Sequence, residues 1–215
     1  MTSFARTAAC GLALLGLCSS TAWPVDDPDD ITPGKVVVVK TGKLAKIVAK
    51  PVPVISPFNL PSAPLVEPTA PGAVNTLALV DPIGAAGANM YPLAAGTWTA
   101  LGAPPTGYKY RGTGLPGDPC KVVLIRTTIV KAVCKGLDVT LAPPVGVLQV
   151  TLTVGTPGFQ KQYCTLFGGF FAKNIPGTFV ARNAPAPAIP FCWATAPENV
   201  SAVRPGRARE RLTGR

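Results

Sequence analysis

The chain contains no histidine. That absence removes the commonest general base, the usual zinc ligand and the usual partner of a serine or cysteine nucleophile, and most hydrolase designs go with it. Acidic residues are also scarce, and the body of the chain offers only Glu67, Asp81, Asp118, Asp138 and Glu198. A glycosidase needs two carboxylates held about 5 to 9.5 Å apart. Here Asp81-Pro82 and Asp118-Pro119 read as turn openers, which places these side chains in loops rather than in a cleft. Neither a P-loop nor a Gly-x-Gly-x-x-Gly opening a helix occurs. The acidic cluster Asp26, Asp27, Asp29 and Asp30 lacks the spacing and closing Glu of an EF-hand and reads as a solvated arm. The expectation is a protein with no catalytic residue, no metal and no cofactor.

Long hydrophobic runs are missing too. Beyond the first segment, no stretch free of charge and proline reaches the roughly 20 residues that span a bilayer. With 22 Gly and 25 Pro, the chain must consist of short elements broken by frequent turns, because proline removes a backbone donor and glycine loosens helix and strand interiors. A content of 47% apolar and 14% charged residues nevertheless supports a buried core.

What is present begins with a secretory pattern. Arg6 precedes an apolar run from Ala8 to Cys18, and Ser20 and Ala22 supply small residues before a cleavage expected after Ala22. The expected organisation is a signal peptide over 1–22, a mobile acidic arm over 23–34, one domain over 35–203 and a disordered basic tail over 204–215. The location implied is secreted or periplasmic.

Cys120, Cys134, Cys164 and Cys192 remain after cleavage, an even number suited to two disulfides in an oxidising compartment. A hairpin folded about Thr127 sets Cys120 opposite Cys134, Val122 opposite Ala132 and Leu124 opposite Val130. Both sulfurs then share one apolar face, while Lys121, Lys131 and Lys135 take the other. Directly opposed residues lie within disulfide range, so Cys120 is expected to bond Cys134 and, by elimination, Cys164 to bond Cys192. A three-residue Arg126-Thr127-Thr128 loop fits poorly, since such loops favour glycine in the left-handed position. A zinc site is disfavoured by the lack of Cys-x-x-Cys and of histidine.

Lys35–Lys40 encloses four valines and reads as a strand; 43–50 is ambiguous between strand and helix. Further strands are expected at 74–80, around Trp98, around Tyr108 and Tyr110, and at 147–154, where Leu148, Val150, Leu152 and Val154 alternate with Gln149, Thr151 and Thr153 as if one sheet face were solvated. Tyr163–Phe167 and Thr178–Arg182 complete the set. Eight to ten short strands without a sustained helical period indicate an all-β fold, an antiparallel β-sandwich with two disulfides.

Trp98, Tyr108 and Tyr110, with Trp193, could form a stacking platform for sugar rings; packing in the core is the competing reading. Of the formal charge of +10, Arg6 leaves with the signal peptide and the tail, with five Arg and one Glu, carries a net positive share of its own, so that what remains on the body reads as modest and interspersed.

The pieces Leu93-Ala-Ala-Gly-Thr-Trp98, Gly107-Tyr-Lys-Tyr110, Asp118-Pro-Cys120, Val133-Cys-Lys-Gly136 and Tyr163-Cys-Thr-Leu-Phe-Gly-Gly169 give the chain a pattern that resembles uncharacterised secreted bacterial β-rich modules. The resemblance covers roughly half the chain, implies structural cysteines and transfers no catalytic residue. The functional expectation is a non-enzymatic structural or adhesive module of unknown partner. The alternative is a carbohydrate- or polyanion-binding module, using the aromatic residues or the basic tail on a polysaccharide or other surface polymer, without sequence-specific reading of nucleic acid.

Overall fold

The structure is a computed structural model that describes residues 27–31, 33–51, 58–82, 87–168 and 171–184. Among these residues the chain is all-β. Its strands are β1 (Asp27–Ile31), β2 (Gly34–Lys40), β3 (Leu44–Ala49), β4 (Asn75–Val80), β5 (Ala88–Leu93), β6 (Trp98–Ala100), β7 (Gly107–Tyr110), β8 (Cys120–Arg126), β9 (Ile129–Lys135), β10 (Val147–Thr156), β11 (Phe159–Gly168), β12 (Phe171–Ile175) and β13 (Thr178–Ala184). The only helical element among them is one 3₁₀ turn at Ala95–Thr97. Two sheets result: a five-stranded one in the order β1-β11-β10-β4-β5, and an eight-stranded one in the order β12-β13-β2-β3-β9-β8-β7-β6. All neighbours pair antiparallel except β1 and β11.

Thirteen strands exceed the eight to ten expected because edge strands hide in turn-like sequence. Asp27–Ile31, read as a mobile arm, pairs in parallel with β11, with a register shift between Asp27 and Asp30. It contains Pro28, which an edge strand tolerates because one side of its backbone needs no ladder partner. The same holds for β5, an edge strand with Pro92, whose Asn89, Tyr91 and Leu93 are buried while Ala88, Met90 and Pro92 are exposed. The ambiguous 43–50 stretch is β3. There Ala45, Ile47 and Ala49 are buried and Lys46 is exposed, a period of two that leaves no helical stripe.

Local sequence explains the tightest connections. Thr156-Pro157-Gly158-Phe159 and Ile175-Pro176-Gly177-Thr178 each close a two-residue hairpin, with Gly158 and Gly177 at positive φ. Proline followed by glycine suits the central positions of a type II turn.

Buried side chains from both sheets form one apolar cluster. It includes Leu77, Leu79, Leu148 and Leu152 from the five-stranded sheet, and Val37, Val39, Ile125 and Phe179 from the eight-stranded one. Phe58 enters the same cluster and meets Tyr163 edge to face, 5.9 Å between centroids. Gly34 begins β2 where an added Cβ would collide with the Phe167 ring, so the backbone itself packs there.

Two expectations need correction. The second face of β10 is not solvated at its centre: Gln149 and Thr151 are buried, and the Gln149 amide donates to the Thr151 hydroxyl at 3.1 Å. Alternation of polarity reports which residues share a face and does not report whether that face is covered. The β8–β9 hairpin also differs in register. Cys120 does face Cys134, but a bulge between Cys120 and Val122 shifts the rest by one, giving Val123 opposite Ala132, Ile125 opposite Val130 and Arg126 opposite Ile129. The loop therefore has two residues, Thr127 and Thr128, which removes the conflict with a glycine-less three-residue turn.

Candidate functional site

The eight-stranded sheet turns Val37, Val39, Ala45, Ile47, Ala49, Val123, Ile125, Val130, Ala132 and Phe179 inward, all buried. Its other face carries charge, and every charged residue in its eight strands is a Lys or Arg. Strand register arranges them in rows. One row runs through Arg182, Val36, Val48, Lys131, Leu124, Lys109 and Thr99. The next runs through Lys173, Val180, Val38, Lys46, Val133 and Val122. A third runs through Ile175, Thr178, Lys40, Leu44 and Lys135. Rows two residues apart lie about 7 Å from each other, and cations two strands apart, such as Lys40 and Lys135, lie about 10 Å from each other.

Lys40, Lys46, Lys135, Lys173 and Arg182 are exposed, while most of the aliphatic residues between them are half-buried. Long cationic side chains can cover apolar surface with their stems and keep the charge in water. Among the described residues none of the sheet's cations is paired with a carboxylate; Lys35 donates to the Asn183 side chain at 3.2 Å. Two such charges 10 Å apart repel by only about 0.4 kcal/mol in water. Physiological salt screens them further, so the fold tolerates the concentration of charge, and a polyanion laid across the rows would gain from all of it.

The five-stranded sheet contrasts with this. Its one cation is Lys161, which is buried with its ammonium 5.6 Å from the Tyr163 ring centroid, and β1 contributes Asp27, Asp29 and Asp30.

The residues singled out from sequence fall elsewhere. Trp98, Tyr108 and Tyr110 belong to the shared core, with 6%, 1% and 1% of their surface exposed. Trp98 and Tyr110 face each other across β6 and β7, their rings 5.5 Å apart. They do not offer a stacking platform, because the face of β7 that carries both tyrosines is the inward one. Burial pushes the Tyr108 hydroxyl up to about 12, with Glu67 adding to the effect. Burial likewise pushes Tyr110 up to about 12, reinforced by its hydrogen bond to Asp118. Cys120 and Cys134 form the expected disulfide. Cys164 is buried on the outer face of the five-stranded sheet, its sulfur 3.6 Å from the Thr151 hydroxyl. Cys192, Trp193 and the basic tail lie outside the described residues, as does the proposed signal peptide.

The Asp118 carboxylate knots the loop after β7. It accepts hydrogen bonds from the Tyr110 hydroxyl and from the Thr113 backbone and hydroxyl, the last two at 2.7 and 3.1 Å. Burial raises this carboxyl, but the three donors outweigh that and hold it below its ordinary range. Asparagines clamp other loops: Asn89 binds the 138–141 segment through both ends of its amide, and Asn174 does the same to Val145. A cavity of about 360 Å³ lies where β4 and β5 meet the end of β7. Its polar walls, Asn75 and Asp118, are both engaged in these structural bonds, and the rest is mainly apolar. Among the described residues no helix is long and apolar enough to cross a membrane.

The basic rows were missed because charge was judged along the chain. A signal existed: no Asp or Glu occurs between Asp30 and Glu67 or between Asp118 and Asp138, the two stretches that supply β2, β3, β8 and β9.

No family model, no curated protein and no solved structure matches this chain.

Proposed function

We propose that this protein is a non-enzymatic, exported β-sandwich module that adheres to a polyanionic partner through the outer face of its eight-stranded sheet. One observation carries the reading: the charged residues of that sheet are cations without exception, set in rows, and among the described residues none is paired with a carboxylate. Export is supported by the amino-terminal signal pattern and by the Cys120–Cys134 bond, which an oxidising compartment maintains. A second bridge from Cys164 to Cys192 belongs to the same proposal, as does a supplementary role for the arginines of residues 204–215. An aromatic sugar-binding platform is not favoured, since Trp98, Tyr108 and Tyr110 are buried.

The test uses the processed chain on an immobilised sulfated polysaccharide over a salt gradient, beside a Lys46→Glu/Lys131→Glu variant and a chain ending at Val203. Both lysines lie on the outer face, so the double variant should keep its stability within about 0.5 kcal/mol per site. It should elute at clearly lower salt than the parent. Retention that depends on the tail and ignores the two lysines would sink the proposal. Binding to a neutral polysaccharide that persists at high salt would favour a sugar-binding reading instead.

A further inference from the structure

One end of the eight-stranded sheet combines cations with exposed aliphatic tips. Leu137 is 78% exposed, more than any other large apolar residue among those described, and Ile175 is 46% exposed. The strand pairing puts Ile175 in the row that continues through Thr178, Lys40, Leu44 and Lys135, and Leu137 follows two residues later. Backbone hydrogen bonds tie the turns at this end into one rim. Thr41 N–H donates to the Gly177 carbonyl at 3.2 Å, Gly42 N–H to Val139 at 2.7 Å, and Gly136 N–H to Lys43 at 3.2 Å. A Cβ on Gly42 would lie 3.9 Å from Leu137 Cδ2, so the leucine stands over the β2–β3 turn. Lys40, Lys43, Lys135 and Lys173 are all exposed within this rim. The nearest acid in sequence, Asp138, has its carboxylate on the Gly117 N–H at 3.1 Å.

We propose that this rim docks on an anionic phospholipid bilayer, Leu137 and Ile175 entering the headgroup boundary while the four lysines meet lipid phosphates. The inference rests on the reading of the basic face as the adhesive one and names its partner. Two aliphatic tips flanked by lysines match a surface that is apolar beneath a layer of negative charge. A dissolved polyanion makes no use of such tips. A single-stranded nucleic acid would call for exposed rings to stack its bases, and the aromatic residues of β6 and β7 point into the core. Each lysine near an anionic leaflet strengthens attachment about fivefold.

The experiment measures sedimentation of the processed protein with vesicles of equal parts phosphatidylglycerol and phosphatidylcholine, with vesicles of phosphatidylcholine alone, and binding to dextran sulfate. A Leu137→Ser/Ile175→Ser variant alters no charge and touches only exposed positions; its circular dichroism reports that it folds. The expected result is binding to the anionic vesicles and not to the neutral ones, weakened at least tenfold by the double substitution, with dextran sulfate binding unchanged. A Leu137→Trp variant should also shift its emission to the blue on anionic vesicles. If dextran sulfate binds and the vesicles do not, the bilayer inference falls and the polyanion reading stands. Equal vesicle binding by parent and double variant, without a blue shift, means adsorption by charge alone and overturns insertion. If neither vesicles nor dextran sulfate binds, both readings fall.

Discussion

The inward faces of the two sheets are alike: Leu77, Leu79, Leu148 and Leu152 on one, Val37, Val39, Val123 and Ile125 on the other, all buried to within a few per cent. Their outward faces diverge. The five-stranded sheet turns out Gln149 and Thr151, which are buried and bonded to each other, and exposed Met90 and Pro92 at its β5 edge. The eight-stranded sheet turns out lysines and arginines alone among charged residues. Folding constrains both inward faces to be apolar and asks little of an outward face beyond solubility. An outward face whose charges share one sign, at a small electrostatic cost, is therefore where a partner is most usefully sought.

The strongest way to break the comparison is to ask whether the two inward faces belong to one cooperative core. Leu152→Ala and Phe179→Ala remove fully buried side chains from opposite sheets. Each should cost about 3 to 5 kcal/mol and lower the same single urea transition. Val38→Ala, on the half-buried outward face, should cost about 1 kcal/mol or less. Two separate transitions would show that the sheets fold independently and that their inward faces are not equivalent.

One disulfide staples the eight-stranded sheet from within. Cys120 and Cys134 are 14 residues apart and join β8 to β9 within the eight-stranded sheet. Replacing both by Ser should cost about 3 kcal/mol, since the bond mainly restricts the unfolded chain. Urea midpoints of the variant and of the oxidised parent measure this. A variant as stable as the oxidised parent would mean that the β8–β9 pairing needs no staple.

The sequence makes local pairings visible and hides distant ones. Cys120 opposite Cys134 follows from one hairpin, but its bulge does not, because Val122 and Val123 are equally apolar and either fits the buried row. Pro157-Gly158 and Pro176-Gly177 were available as turn signals. Alternation shows that Tyr108 and Tyr110 share a face; only the sheet decides that this face is inward. The basic rows required β3 to sit beside β9 and β13 beside β2, contacts across about 85 and 140 residues that no periodicity encodes. Charges spread along the chain thereby become neighbours.

The smallest expected effect concerns the carboxylate attached to the eight-stranded sheet from its inner side. The Asp118 carboxyl sits below its ordinary range because the Tyr110 hydroxyl and two donors from Thr113 outweigh the upward push of burial. A carboxyl depressed in the folded state binds its proton later than in the unfolded chain. Its stabilisation is present above the unfolded value, near pH 3.9, and is lost as pH falls through the folded value. Tyr110 has the opposite sign: raised to about 12, it contributes below pH 10 and loses that contribution as pH climbs toward 12. The lysine rows contain no carboxylate, so among the described residues acid has no ion pair to break there. Urea midpoints of parent and Asp118→Asn should therefore differ at pH 6, with the parent more stable, and converge as pH falls through the folded value. A gap that stays constant with pH would mean that Asn fits the loop less well for steric reasons and that the charge on Asp118 contributes nothing.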